Sequence, residues 1–296
     1  MNLNALVLLL GVLAAASSFV FIRESSEAPV MLAAYRLLLA ALILSPVFVR
    51  DLTRAGTTLL SSMFKDALLP GVVLGLHFIT WIIGVRMTPA TNATLIVNLV
   101  PLVMPVFMLA LYRERITRRE VMATGLTLLG LCVLAAGDVS VSMAHVKGDM
   151  MCLLSMVLFA YYLALGRNSA RYASIWLYIV PMYTVAGVFC FIVALFFSSP
   201  FHAYSAYDVS MIVALTVIPT IIGHTLLNYA MQKFRGQTVS VVNMSQFMIA
   251  GVIAYVLYDE IPTLAFVVAS VLVFAGIWLI LVGKRAPNNE HPASGD

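Results

Sequence analysis

Ten apolar runs, separated by short polar joints, divide the chain almost from end to end. Their approximate limits are 4–22, 29–49, 66–86, 90–112, 119–137, 148–166, 174–198, 209–231, 237–258 and 263–283. About 20 mostly apolar residues suffice for a helix to cross the hydrocarbon of a bilayer. In lipid the backbone must satisfy its own hydrogen bonds, so every such run is predicted helical. Pro29, Pro89, Gly148, Gly236 and Pro262 punctuate the joints. No joint is long enough to fold as a soluble domain. The pattern therefore predicts an all-α membrane protein of ten transmembrane helices. The polar stretch from Lys284 to Asp296 is too poor in apolar residues to fold, and it reads as a disordered tail.

The runs are not independent. At an offset of 146, with no gap, Val106, Leu111, Tyr112, Glu114, Thr117, Val121, Ala123, Leu126 and Gly130 meet Val252, Leu257, Tyr258, Glu260, Thr263, Val267, Ala269, Leu272 and Gly276. Nine identities over the 25 positions from 106 to 130 exceed what apolar composition alone supplies, and they include the polar Tyr-x-Glu-x-x-Thr set. The chain is an internal duplication, with repeats at 1–140 and 146–285 and a cytoplasmic tail at 286–296. Each repeat holds five helices. An odd number sends the two halves through the membrane in opposite senses, which makes two inverted five-helix repeats. Such repeats place a substrate site at their interface, near the bilayer midplane.

Composition and charge sharpen this reading. Hydrophobic residues make up 62% of the chain and charged residues 10%, against about 25% charged in soluble domains. The net charge of +4 is scattered over short joints, so nucleic acid is not an expected partner. The lipid bilayer is. With the N-terminus in the cytoplasm, the inner joints and C-terminus carry 13 of the 17 Lys and Arg residues. The outer joints carry Arg23, Arg86 and Lys147, and Arg36 lies within a helix. This bias puts both termini inside, in the inner (plasma) membrane. The first run has no Lys or Arg before it and supplies the first helix of the repeat, so it is kept as a span rather than a signal peptide. Cys132, Cys152 and Cys190 sit in apolar runs without metal-ligand or redox spacing. No cofactor and no metal is expected. The chain has no HExxH, GxSxG, paired intramembrane aspartates or phosphate-cradling loop, so it is not read as an enzyme.

Polar groups deep in a membrane are costly, and each is a functional candidate. His77 lies halfway along the third run, with Trp81 one turn on and on the same face. His224 and Asn228 repeat that spacing in the eighth run at an offset of 147. The alternatives are a cavity wall and plain interhelical packing. Asn98 and Asn243 are near-counterparts in the fourth and ninth runs, with Asn92 and Gln246 close by. Their amides would bind a polar substrate or join helices. Pro101 and Pro105 are expected to bend the fourth helix, since each lacks a backbone donor. Arg36, about seven residues into the second helix, is expected to snorkel to the outer interface or pair with Glu24 or Glu27, in a structural or gating role; the alternative is that it binds a substrate carboxylate or phosphate. Glu114 and Glu260 are expected to cap the following helix or pair with local basic groups; the alternative is that they carry protons. Ser17, Ser18, Tyr161 and Tyr162 are further lining candidates. No Asp, Glu or Lys lies mid-helix, so proton coupling, if present, falls to histidine.

Four further features carry a family resemblance: Pro29-x6-Arg36; Arg-Glu-Arg-Ile-Thr at 113–117 before a helix with Gly125 and Gly130; Leu76-His77-Phe78-x-x-Trp81; and Gly223-His224-Thr225-x-x-Asn228-Tyr229. On these the chain resembles the EamA family of the drug/metabolite transporter superfamily, over essentially its whole length. It departs at Gln246-Phe247, where such proteins often carry Glu-Pro. The resemblance implies a ten-helix bundle with a central cavity lined by helices 1, 3, 4, 6, 8 and 9, and with helices 5 and 10 peripheral. It also implies a carrier of a small polar, amino-acid-like or drug-like metabolite, working by alternating access and exporting its substrate. An importer or exchanger of the same fold, or a non-transporting membrane scaffold, are the alternatives. A homodimer is left open.

Overall fold

A computed structural model describes residues 3–138, 145–201, 203–259 and 261–282. Glu260 and the 286–296 tail lie outside the described residues. Ten helices are long and apolar enough to cross a membrane: α1 (Leu3–Glu24), α2 (Pro29–Ala55), α3 (Thr57–Met87), α4 (Asn92–Tyr112), α5 (Arg118–Ala136), α6 (Val146–Arg171), α7 (Trp176–Ala194), α8 (Ala206–Lys233), α9 (Gly236–Leu257) and α10 (Leu264–Val282). The described residues contain no strand. The chain is a multi-pass membrane protein. Many large apolar side chains face outward, as a lipid solvent allows: Leu42, Leu102, Val252 and Phe274 are each more than half exposed.

The duplication is visible at the level of single residues. α4 is two helices, Ala90–Val97 and Val100–Tyr112, and α9 is Gly236–Asn243 and Gln246–Tyr258. All four boundaries repeat at 146. Among the described residues, two non-glycine residues have positive φ, Arg113 (56°) and Asp259 (54°), again 146 apart. Each sits just past the helix that ends at Tyr112 or Tyr258, where a left-handed residue turns the chain out of the helix. Thr117 caps α5 and Thr263 caps α10. Their hydroxyls accept from Glu120 N (3.2 Å) and Phe266 N (3.1 Å).

The packing shows the inversion. At Gly130 of α5 a Cβ would come within 2.9 Å of the Ala269 carbonyl on α10. At Gly276 of α10 a Cβ would come within 2.9 Å of the Ala123 carbonyl on α5. Ala123 and Ala269 are repeat counterparts, as are Gly130 and Gly276. Early residues of one helix meet late residues of the other, so the two equivalent helices run antiparallel about a two-fold axis. Small residues let the backbones close up, the usual basis of helix association in lipid. The halves also interlock: α1 packs on α8, α6 on α3, and α2 on α7.

The break in α4 falls at Asn98 and Leu99, one turn before Pro101, rather than at the prolines themselves. Pro101 stands in the first turn of the second half-helix, where its missing N–H matters least. Pro105 cannot donate to the carbonyl of Pro101. That carbonyl instead accepts from Gln237 Nε2 of α9 (3.1 Å), which also donates to Thr124 Oγ1 of α5 (2.7 Å). The freed carbonyl thereby supplies a bond between the repeats. α9 breaks at the same place without any proline. There, local side-chain bonds, Ser245 Oγ to Val242 O (2.8 Å) and Gln246 Nε2 to Asn243 Oδ1 (2.5 Å), accompany the break.

Candidate functional site

A small cavity lies where the inverted halves meet. It is lined by Ala15 and Ser18 (α1), His77, Phe78 and Trp81 (α3), Val97 (α4), Phe159 (α6), His224 (α8), and Asn243 and Gln246 (α9). The six helices that contribute are 1, 3, 4, 6, 8 and 9. The space open to the centre of a water molecule is about 30 Å³, room for about two waters. In this conformation the chamber is too small for a metabolite.

His77 and His224 face one another across it, with ring centroids 6.0 Å apart. Both are buried. Phe159 stacks on His77 at 4.9 Å, and Phe78 meets His224 edge-on at 4.8 Å. His77 Nδ1 lies 3.0 Å from the Ser155 carbonyl and 2.9 Å from Ser155 Oγ of α6. Its position is thus fixed by the opposite repeat. His224 Nδ1 is buried without a hydrogen-bond partner. Trp81 Nε1 donates to Ser18 Oγ (3.3 Å), which ties α3 to α1 and holds the indole as a wall. The amides of Asn243 and Gln246 bond each other.

The 147 offset between the histidines does not mark strict repeat equivalence. α3 and α8 end at Met87 and Lys233, which are 146 apart. Counted back from those ends, His224 is the counterpart of Phe78. The rings still meet because the two positions are adjacent and both helices border the cavity.

Three side chains expected at the cavity stand elsewhere. Asn98 is buried at the α4 break, its Nδ2 donating to Thr94 O (2.7 Å). Asn228 is fully buried between α8 and α6, bonding the Tyr162 hydroxyl and the His224 carbonyl (2.8 Å). Tyr162 is likewise fully buried in that contact. The Asn98 and Asn228 amide nitrogens and the Tyr162 hydroxyl are taken up in packing, while both amide oxygens are buried without a partner. Ala15, Phe78, Val97 and Phe159 are the lining residues that sequence reasoning missed. An apolar side chain in a run of apolar residues gives no sign of facing a cavity.

Arg36 does not snorkel. It is fully buried, its Nε donating to Thr220 Oγ1 of α8 (2.9 Å) and its Cζ lying 3.8 Å over the Phe78 ring. The cause lies in α8, whose Thr216–His224 stretch is a π-helix. Pro219 has no N–H for the Leu215 carbonyl four residues earlier. Thr220 Oγ1 donates to that carbonyl instead (2.8 Å) and accepts from Arg36. Such wide turns recur at functional sites.

Two polar networks close the ends of the bundle. At the end carrying residues 113–120, Glu114 pairs with Arg167 and accepts from Gly236 N (3.2 Å). Arg167 Nη2 also donates to the Phe234 carbonyl (2.9 Å). Arg235 pairs with Glu120 (2.5 Å) and bonds the Arg115 carbonyl. Burial alone would lower the Arg235 guanidinium, but Glu120 and Glu114 outweigh it and hold its pKa above the usual value. Glu114 thus bridges the repeats. It is Glu120, paired with Thr117 in a capping box, that caps α5. At the opposite end, Thr88 Oγ1 donates to Asp149 of the second repeat, and Asn92 reaches the same oxygen at 3.5 Å. Arg23 Nη2 donates to the Thr88 carbonyl (3.2 Å). Thr88 and Phe234 are 146 apart, so an arginine binds the terminal carbonyl of α3 at one end and of α8 at the other.

The sequence matches the EamA-like transporter family twice, over residues 2–136 and 146–282. No curated protein matches the chain. A solved crystal structure of a protein is similar at 16% identity, with a TM-score of 0.74, over 94% of this chain and 96% of its own. At that identity the likeness speaks to the fold alone.

Proposed function

We propose that this chain, which belongs to the EamA-like transporter family, carries a small polar or amphipathic metabolite across the inner membrane by alternating access. The observation that supports this best is the chamber itself. Two buried histidines from different repeats share it, six helices line it, and cross-repeat networks lie at both ends. A scaffold subunit has no need of paired histidines around a shared space between inverted halves. Trp81 and Phe159 offer apolar faces, and Asn243 and Gln246 offer amide donors and acceptors, which suits a solute with both kinds of surface. We assign the termini to the cytoplasm from the 13-to-3 charge bias, and export as the direction from the family resemblance. The chain carries solute rather than transforming it.

Purified protein reconstituted into vesicles, preloaded in turn with single metabolites, should take up the same labelled metabolite by counterflow. His77→Ala and His224→Ala should abolish that uptake while leaving folded yield near normal. Vesicles that move no member of a broad metabolite panel above protein-free controls would remove the transport reading. Full activity in both histidine variants would remove the site.

A further inference from the structure

Arg36 has more hydrogen-bonding capacity than the protein uses. Its guanidinium is fully buried, and Nη1 and Nη2 have no partner. Among the described residues no carboxylate pairs with it. A buried cation without a counter-charge is strongly disfavoured, so a protein that keeps one invites an anion. Its surroundings hold it in place without neutralising it. Thr220 takes Nε, and the centre of the Phe78 ring lies 3.8 Å from Cζ. The Thr220 acceptor is itself set by the π turn that Pro219 imposes. What remains open is the end of the fork, two N–H donors side by side, the shape that a carboxylate matches with two oxygens.

Phe78 is also a wall of the chamber. One ring therefore separates the unpaired guanidinium from the space between His77 and His224. We infer that Arg36 is the anion-recognition group of the transported solute, that the solute carries a carboxylate, and that Phe78 is the partition that must turn aside to admit it. This rests on the transport reading and narrows it to small carboxylates. The small chamber, with Phe78 beside the guanidinium, is then the empty state, and Arg36 gains its counter-charge only with solute bound.

The test uses the full-length protein in detergent and in vesicles. Acetate, succinate, alanine and phenylalanine would be compared with the matching amides and with inorganic phosphate as ligands that raise thermal stability. At least one carboxylate should bind at least tenfold more tightly than its amide and than phosphate. That carboxylate, and not its amide, should protect Arg36 from phenylglyoxal, read by mass spectrometry of the peptide. Arg36→Lys should weaken carboxylate binding at least tenfold and leave binding of the amide unchanged. The protection readout uses wild-type protein, so it stands even if Arg36→Lys folds poorly. Amides or phosphate binding as well as carboxylates, or Arg36 modified equally with and without carboxylate, would overturn the inference. If only uncharged solutes prove to be transported, carboxylate recognition fails and alternating access survives. If nothing is bound or moved, both fail.

Discussion

Glu114→Gln should open one end of the bundle. The carboxylate is about nine-tenths buried and holds Arg167 of α6 and the Gly236 N–H of α9, so it joins the first repeat to the second. Glutamine keeps the shape and removes the charge. Arg167 would retain the Phe234 carbonyl, and Arg235 would retain Glu120. Arg235 also loses its longer 3.9 Å pairing with Glu114, but the main loss is one charge-assisted interaction, worth about 1.5–3 kcal/mol when shielded from water. Arg167 is 26% exposed, so solvent screening brings this to about 1.4 kcal/mol, or tenfold in an equilibrium. On the proposed alternating-access cycle this interaction is made only while this end is closed, so the shift should favour states open there. Spin labels on Arg118 and Lys233, one in each half, would report the distance by double electron–electron resonance. The open population should rise about tenfold, with little change in overall thermal stability. An unchanged distance distribution, or a shift toward closure, would refute the gating role of Glu114.

Asn228→Leu should lower stability by about 1–2 kcal/mol, because it strips partners from the Tyr162 hydroxyl and the His224 carbonyl. Its KM should change less than twofold, and a large KM effect at normal stability would return Asn228 to the chamber. Gly276→Ala would put a methyl 2.5 Å from Thr127 Cγ2 and 2.9 Å from the Ala123 carbonyl, for a cost of about 1–3 kcal/mol. Thr127→Ser keeps the hydroxyl bonds to Ala123 and Thr124 but removes that methyl, so the double variant should recover part of the loss in a double-mutant cycle. Strictly additive effects would contradict the tight α5–α10 contact.

The ten spans and the inverted repeat were legible because lipid permits few solutions. A backbone that must satisfy itself makes each apolar run a helix, and a 146-residue offset with an odd helix count fixes the inversion. The histidine pair was legible from cost, since a polar ring must face protein or water. Asn98 and Asn228 satisfied the same cost argument and went elsewhere, because cost does not separate a cavity wall from a helix contact. Arg36 was misread for a physical reason. Seven residues place it about 10 Å from the helix end, within snorkelling reach of the surface. What holds it inside is the Thr220 hydroxyl, exposed by a π turn that one proline and its tertiary setting create together. The α9 break had no proline to announce it and rests on short-range bonds of Asn243, Ser245 and Gln246.

Alternating access is tested most directly at Gln246, which lines the chamber. A Gln246→Cys protein lacking Cys132, reconstituted in vesicles, would be exposed to a membrane-impermeant thiosulfonate from one side and then the other. Each measurement would be repeated with one end of the bundle locked by an engineered cross-link between the repeats. Alternating access predicts labelling from a single side in each locked state, the side switching with the lock, and protection by transported solute. A cysteine that never reacts would make the chamber a packing void, and one that reacts from both sides at once would make it a channel.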